Sequence, residues 1–227
     1  MLVVVLSGSG ISAESGVSTF RDANGIWQRY RIEDVATPEA WHNNREGVLD
    51  FYNQRRKQLF DVAPNPGHEA LVELEKTFEV QIITQNVDDL HERAGSKQVM
   101  HLHGELRKVR CERCSHKIYD WPGDLQVGDT CDLGHQLRPH IVWFGEEVPM
   151  IGPATELCRK ADALIIVGTS MQVYPAAGLV HYAPAGIPVY YVDPDPAPVA
   201  IPGLRVVAEK AGTGLWKVVE ELKKFKV

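Results

Sequence analysis

No apolar run in these 227 residues approaches the roughly 18 needed to span a bilayer. The first run, Leu2 to Leu6, is short and has neither the basic leader nor the cleavage site of a secretory signal. A membrane partner is therefore not expected, and a cytoplasmic location is. An excess of positive charge is also missing. Lys and Arg number 24 against 30 Asp and Glu, for a formal net charge of -6, which argues against a protein that grips nucleic acid through its phosphates. Cysteine is sparse. Three of the four cysteines crowd between positions 111 and 131, a pattern that suits a metal in a reducing compartment better than a disulfide framework. There is no internal repeat and no low-complexity tract. With 44% hydrophobic residues, the chain reads as one large domain or a domain with an insert.

What is present is an alternation of short β-branched runs and amphipathic stretches. Strands are expected at Leu2 to Leu6, Val80 to Thr84, Leu164 to Val167, Val189 to Val192 and Leu204 to Val207. Between them, positions 31 to 61 read as helical, with Thr37 as an N-cap before Pro38 and a breaker at Pro64-Asn65-Pro66. Helices are expected at His68 to Phe78 and Leu215 to Phe225. This order implies an α/β fold built on a parallel sheet. Positions 107 to 138, turn-rich and cysteine-bearing, break the alternation and read as an inserted module.

The first strand runs into Gly8-Ser9-Gly10-Ile11-Ser12-Ala13-Glu14, a Gly-x-Gly-x-x-Ala pattern suited to a nucleotide pyrophosphate. Gly8 is read as allowing the tight turn, Gly10 as letting the backbone approach phosphate, and the following N–H groups as facing the anion. Glu14-Ser15-Gly16 then interrupts any long helix. Thr19-Phe20-Arg21-Asp22 leads through Trp27 with no strand, so the turn opens into a long loop.

Polar loops follow three further strands, where open α/β sheets carry their ligands: Gln85-Asn86-Val87-Asp88, Gly168-Thr169-Ser170 and Asp193-Pro194-Asp195. His101-Leu102-His103-Gly104 puts two histidines on one face of a strand, and His103 is a candidate general base. Tyr52 and Arg55, three apart, share a helix face, where a phenol and a guanidinium can converge on a carboxylate. Leu137 to Glu146 is apolar and extended, either core or an edge that pairs with a peptide. Cys111-x2-Cys114 and Cys131 supply three thiolates for zinc. Gly134 stands where a fourth cysteine would complete the set, leaving His135, Asp132 or His116 as the fourth ligand, or a degenerate site.

In this order, GSGISAESG with TFRD, TQNVDDLHERAG, HLHGEL, CxxC, LRPHIVWFGE and GTSMQVYPAAG resemble the sirtuin family of NAD-dependent protein lysine deacylases over essentially the whole chain. The resemblance implies a Rossmann-like domain (1–30, 62–106 and 139–227). Its smaller companion is a helical insert (31–61) with a zinc-ribbon module (107–138). NAD and an acyl-lysine peptide would meet between the two. Gly8, Ser9, Gly10, Ser12 and Glu14 would line the cofactor turn, with Phe20, Arg21 and Trp27 on a covering lid. Gln85, Asn86 and Asp88 would hold ribose and nicotinamide, and Gly168, Thr169, Ser170, Asp193 and Ala211 the adenosine end. Val142, Phe144, Gly145 and Glu146 would lie along the substrate. Structural zinc would sit on Cys111, Cys114, Cys131 and His135.

The chemistry implied is attack of the acyl oxygen on the ribosyl carbon as nicotinamide leaves. Asn86 and Asp88 assist, and His103 removes a ribose proton. The products are free lysine and O-acyl-ADP-ribose. Tyr52, Arg55 and Ala36 match the branch that removes acidic acyl groups, so succinyl- and malonyl-lysine are expected before acetyl-lysine. Asp193 stands where the family usually has Asn. A monomer acting on acyl-lysine proteins is expected. The alternatives are mono-ADP-ribosyl transfer and a non-catalytic NAD-binding reader of acyl-lysine.

Overall fold

The computed structural model describes residues 1–18, 30–114 and 116–225. Six parallel strands form one sheet in the order β3-β2-β1-β7-β8-β9. They are β1 (Leu2–Ser7), β2 (Glu79–Thr84), β3 (Val99–His101), β7 (Ala163–Val167), β8 (Val189–Val192) and β9 (Leu204–Val207). The chain leaves β1 toward β2 on one side and reaches β7 on the other. Beside β1 there is thus the crevice in which Rossmann-like sheets take ligands. Register makes the crevice sharp. Ser7 pairs with both Thr84 and Val167, Thr84 with His101, and Val167 with Val192. The polar loops all leave from that one row.

The inner strands are apolar on both faces because helices cover both. On one face Val3, Val5, Ile82 and Ile165 pack under α5 (Pro66–Glu75) and α8 (Ala211–Lys224). On the other, Val4, Leu6, Leu164 and Ile166 pack under α7 (Ile151–Arg159) and a 3-10 helix, Ala176–Tyr182, that the sequence pattern did not suggest.

A second sheet, β5-β4-β6, joins β4 (Gly104–Cys111) antiparallel to β5 (Ile118–Asp120) and β6 (Leu137–Ile141). It shares a separate core with α2 (Ile32–Val35), α3 (Pro38–Asn43) and α4 (Arg45–Gln58). Val48, Phe51 and Tyr52 come from α4, Leu106 and Val109 from β4, and Ile141 and Trp143 from β6 and the turn beyond it.

Local signals explain most boundaries, and some were misread. The helical stretch 31–61 is three helices because Thr37 and Asn44 each cap a new start, accepting from the N–H of Ala40 and Gly47. Pro64-Asn65-Pro66 is a beginning as well as a stop. Asn65 caps α5 in a capping box with His68, and Pro66 takes its first turn. That helix consequently starts two residues earlier than expected and ends at Glu75.

Candidate active site

The nucleotide end is built by α1 (Gly10–Ala13), the short turn of helix after β1, and by the loops after β7 and β8. A Cβ on Gly8 would stand 2.7 Å from the Gly168 carbonyl oxygen, and one on Gly10 would stand 2.6 Å from the Gly168 Cα. Gly168 itself has φ of +61°, and its own Cβ would meet the Ile11 nitrogen at 2.3 Å. The glycines are thus needed first for turn-on-turn packing. Gly8 also opens a tight turn, its carbonyl accepting from the Ile11 N–H, without a positive φ. The N–H groups of Gly10 and Ile11 are also spent within the chain, on the carbonyls of Gly168 and Gly8, and not on an anion as expected. Glu14 lines the cleft and accepts from the Gly212 N–H at the start of α8. Ser9, Thr169, Ser170 and Asp193 line it too, whereas Ala211 is buried beside Gly67 and outside the lining.

The loop after β2 carries the densest polar cluster. Asn86 Nδ2 donates to Ser12 Oγ at 3.1 Å, and the Ser12 hydroxyl donates to Asp88 Oδ2 at 3.0 Å. The Leu90 N–H holds the other Asp88 oxygen. Burial pushes the Asp88 carboxyl above its usual value, and these two donors only partly restrain it. Gln85 Nε2 reaches Thr169 Oγ1 at 3.1 Å, tying this loop to the one after β7. His103 Nδ1 lies 3.1 Å from the Gln85 carbonyl oxygen. A carbonyl only accepts, so Nδ1 carries the proton and Nε2 keeps its lone pair. Burial lowers the His103 pKa, which keeps the ring neutral and basic at neutral pH.

Across the cavity, Tyr52, Arg55 and Ala36 form a wall with Trp143. Trp143 Nε1 donates to the Tyr52 hydroxyl at 3.0 Å, and burial pushes the phenol pKa up to about 12. The proton therefore stays on Tyr52 and is aimed away from the indole. Arg55 feels both Tyr52 and Asp88, and burial lowers its pKa. Backbone bonds hold the segment after β6 in place: Val142 N–H to the His103 carbonyl and Phe144 N–H to that of Ala36. Glu146 lines the cavity as well. Its carboxylate is already taken by Arg138, Arg110 and the Trp143 N–H, so its side chain fixes the turn. Burial raises its pKa, but the Arg138 bonds outweigh that and leave it low.

Gly8, Asn86, Asp88, His103, Tyr52 and Arg55 share one cavity of about 600 Å³, which also takes in Gly168, Ala36 and Phe144. That size accepts a ligand with its charged ends held by the few convergent polar groups described. Phe20, Arg21 and Trp27 lie outside the described residues.

The cysteine module also closes. Cys111, Cys114, Cys131 and His135 each bring one donor atom, all within 4.8 Å of one another. Three thiolates and an imidazole at that spacing fit tetrahedral zinc. The N–H groups of Arg113 and Cys114 already point at Cys111 Sγ. Of the other candidate ligands, His116 is not in the cluster, and Asp132 is bound to Lys117 and Tyr119 instead. Cys111 ends β4 and His103 precedes it, so eight residues of strand, roughly 25 Å, separate metal from base.

Sequence reasoning missed Trp143, which sits 91 residues from its Tyr52 partner. It also missed Asn65, whose side chain holds the Ile11 carbonyl and Ser15 hydroxyl and so pins the end of α1. The Pro-Asn-Pro signal was visible, but it was read only as a breaker.

A parallel-sheet crevice with paired glycine turns, a buried acid and a neutral histidine defines an enzyme that works on a dinucleotide. The sequence model of the Sir2 family matches residues 8–175, and the chain belongs to that family. It is 57% identical over 192 residues to an NAD-dependent protein deacylase of Helicobacter pylori strain J99, covering 85% of this chain and 82% of the relative. Against the NAD-dependent protein deacylase of Bacteroides thetaiotaomicron it is 51% identical, covering 98% and 97%. A crystal structure of a Sir2 homolog–NAD complex superposes with a TM-score of 0.87 at 39% identity, covering all of this chain and 91% of the other.

Proposed function

We propose that this enzyme, an NAD-dependent protein deacylase by family, removes succinyl and malonyl groups from lysine in preference to acetyl. One observation carries the preference. Tyr52 and Arg55 face the cavity together from α4, with small Ala36 beside them. Trp143 occupies the phenol oxygen, so the Tyr52 proton is free to go to a ligand, and Arg55 supplies the charge. A terminal carboxylate on the acyl chain matches both.

NAD, when bound, supplies a ribosyl carbon with nicotinamide as leaving group. The residues of this chain would then divide the work. The glycine turns and Thr169 would seat the nucleotide. Asn86 and Asp88, held by Ser12, would orient the nicotinamide end. His103, neutral and with Nε2 free of the Gln85 contact, would take the ribose proton. Zinc on Cys111, Cys114, Cys131 and His135 would be structural, fixing an insert whose strands are short. We also propose the two-domain division 1–30, 62–106 and 139–227 against 31–61 and 107–138, supported by the separate core under β4–β6. A metal cluster built on three cysteines favours a reducing, cytoplasmic setting.

Competing succinyl- and acetyl-lysine peptides test the preference. Arg55→Met is expected to lower kcat/KM for the succinyl peptide roughly 10- to 100-fold, the worth of a charge-assisted contact, and to leave deacetylation nearly unchanged. Equal losses on both peptides would contradict the assignment.

A further inference from the structure

His101 closes β3 in the same row as Ser7 and Thr84, and its ring meets an acceptor at each nitrogen. Nδ1 lies 2.9 Å from the Asn86 carbonyl oxygen and Nε2 lies 2.8 Å from Glu92 Oε1. Neither a carbonyl nor an ionised carboxylate can donate. Both contacts are made at once only by an imidazolium with a proton on each nitrogen. His103, two residues on, has one acceptor and can stay neutral. The His101 side chain is 8% exposed, while Glu92, on α6 (Leu90–Ala94), is 40% exposed.

We infer that His101 is a positioning residue: as an imidazolium braced by Glu92, it clamps the Asn86 backbone and so holds Asn86 and Asp88 where deacylation needs them. The inference rests on the deacylase reading above. The surrounding charges agree with it. On α6 stand Glu92 and the buried His91; on the preceding loop, Asp88 and Asp89; on β4, Glu105 and Lys108. Neighbouring β2 offers only uncharged Thr84 at this level. Asp89 is taken by Arg93 and Arg107, and Lys108 by Glu105, so Glu92 is the partner left to His101. Burial works against a charged ring here, but the Glu92 bond and charge more than offset it and raise the His101 pKa, whereas burial lowers that of His103.

The signs give a distinctive profile. Activity climbs with pH as His103 loses its proton, then falls at higher pH as His101 loses its own. The test combines kcat/KM against pH for an acetyl-lysine peptide with nitrogen-15 NMR of the histidine rings in the full chain. Glu92→Gln is expected to move the descending limb to lower pH and leave the ascending limb in place. His101→Gln, whose two N–H donors share one nitrogen and cannot span the acceptors on either side of the ring, should abolish the descending limb and cut kcat about tenfold, with little change in peptide KM. At pH 7 the spectra should show His101 protonated on both nitrogens, and the Asn86 amide should titrate with it. A singly protonated His101 at pH 7, or a descending limb unmoved by Glu92→Gln, would overturn the clamp. The NMR readouts need no turnover. An inactive protein that still shows the doubly protonated ring and the coupled Asn86 shift would refute the deacylase reading and leave the clamp standing.

Discussion

A methyl group on Gly10 would press against the Gly168 Cα, and backbone, unlike a flexible side chain, cannot swing aside. Gly10→Ala is therefore expected to destabilise the fold by about 1–3 kcal/mol, the usual penalty of overpacking. In a chain of this size that lowers Tm by several degrees, measurable by calorimetry. An unchanged Tm would mean that the two turns do not meet as described. At this scale the sequence was legible in residue type and less so in reason. Gly8 and Gly10 stood out as a phosphate pattern, yet the contact that first demands them is with Gly168, in the loop after β7 and more than 150 residues away. The alternation of His101 and His103 was visible, and their separate protonation states were not. Those depend on the Gln85 and Asn86 carbonyls and on Glu92. The arginines that hold the Glu146 carboxylate were not legible, because Arg110 lies 36 residues away in sequence.

The elements most dependent on a ligand are the short strands around the cysteines. β5 has three residues, and the segment from Cys111 to Leu137 relies on the four donors and a few side chains such as Gln136, which bonds to three carbonyls. Stripping metal with a chelator is expected to raise amide hydrogen exchange across 107–138 while β1, β2 and β7 stay protected. Uniform loss of protection, or none, would contradict a structural site confined to that module. The thiolate spacing was plain in the sequence. His135 was read as the fourth ligand from its spacing, but what keeps Asp132 out was not legible, because that turns on Lys117 and Tyr119 folding back onto Asp132. Likewise α5 was found by periodicity, but its start was missed because one Pro-Asn-Pro signal serves both as stop and as cap.

For the whole molecule, two cores meet at one cavity. The parallel sheet brings the polar loops to a single row, and α4 together with the turn after β6 brings Tyr52, Arg55 and Trp143 to the same cavity. The alternation of strands and helices was enough to expect the sheet. The order of its strands, and the fact that α4 faces the loop after β2, came only with the fold. Fold, site and family together imply that this cavity couples acyl removal to cleavage of NAD. Incubating a succinyl-lysine peptide with the protein, with and without NAD, and weighing all products tests it directly. The predicted result is free lysine peptide only when NAD is present, with one nicotinamide and one O-acyl-ADP-ribose for each acyl group lost. Deacylation without NAD, or an ADP-ribose adduct on a peptide that keeps its acyl group, would contradict it.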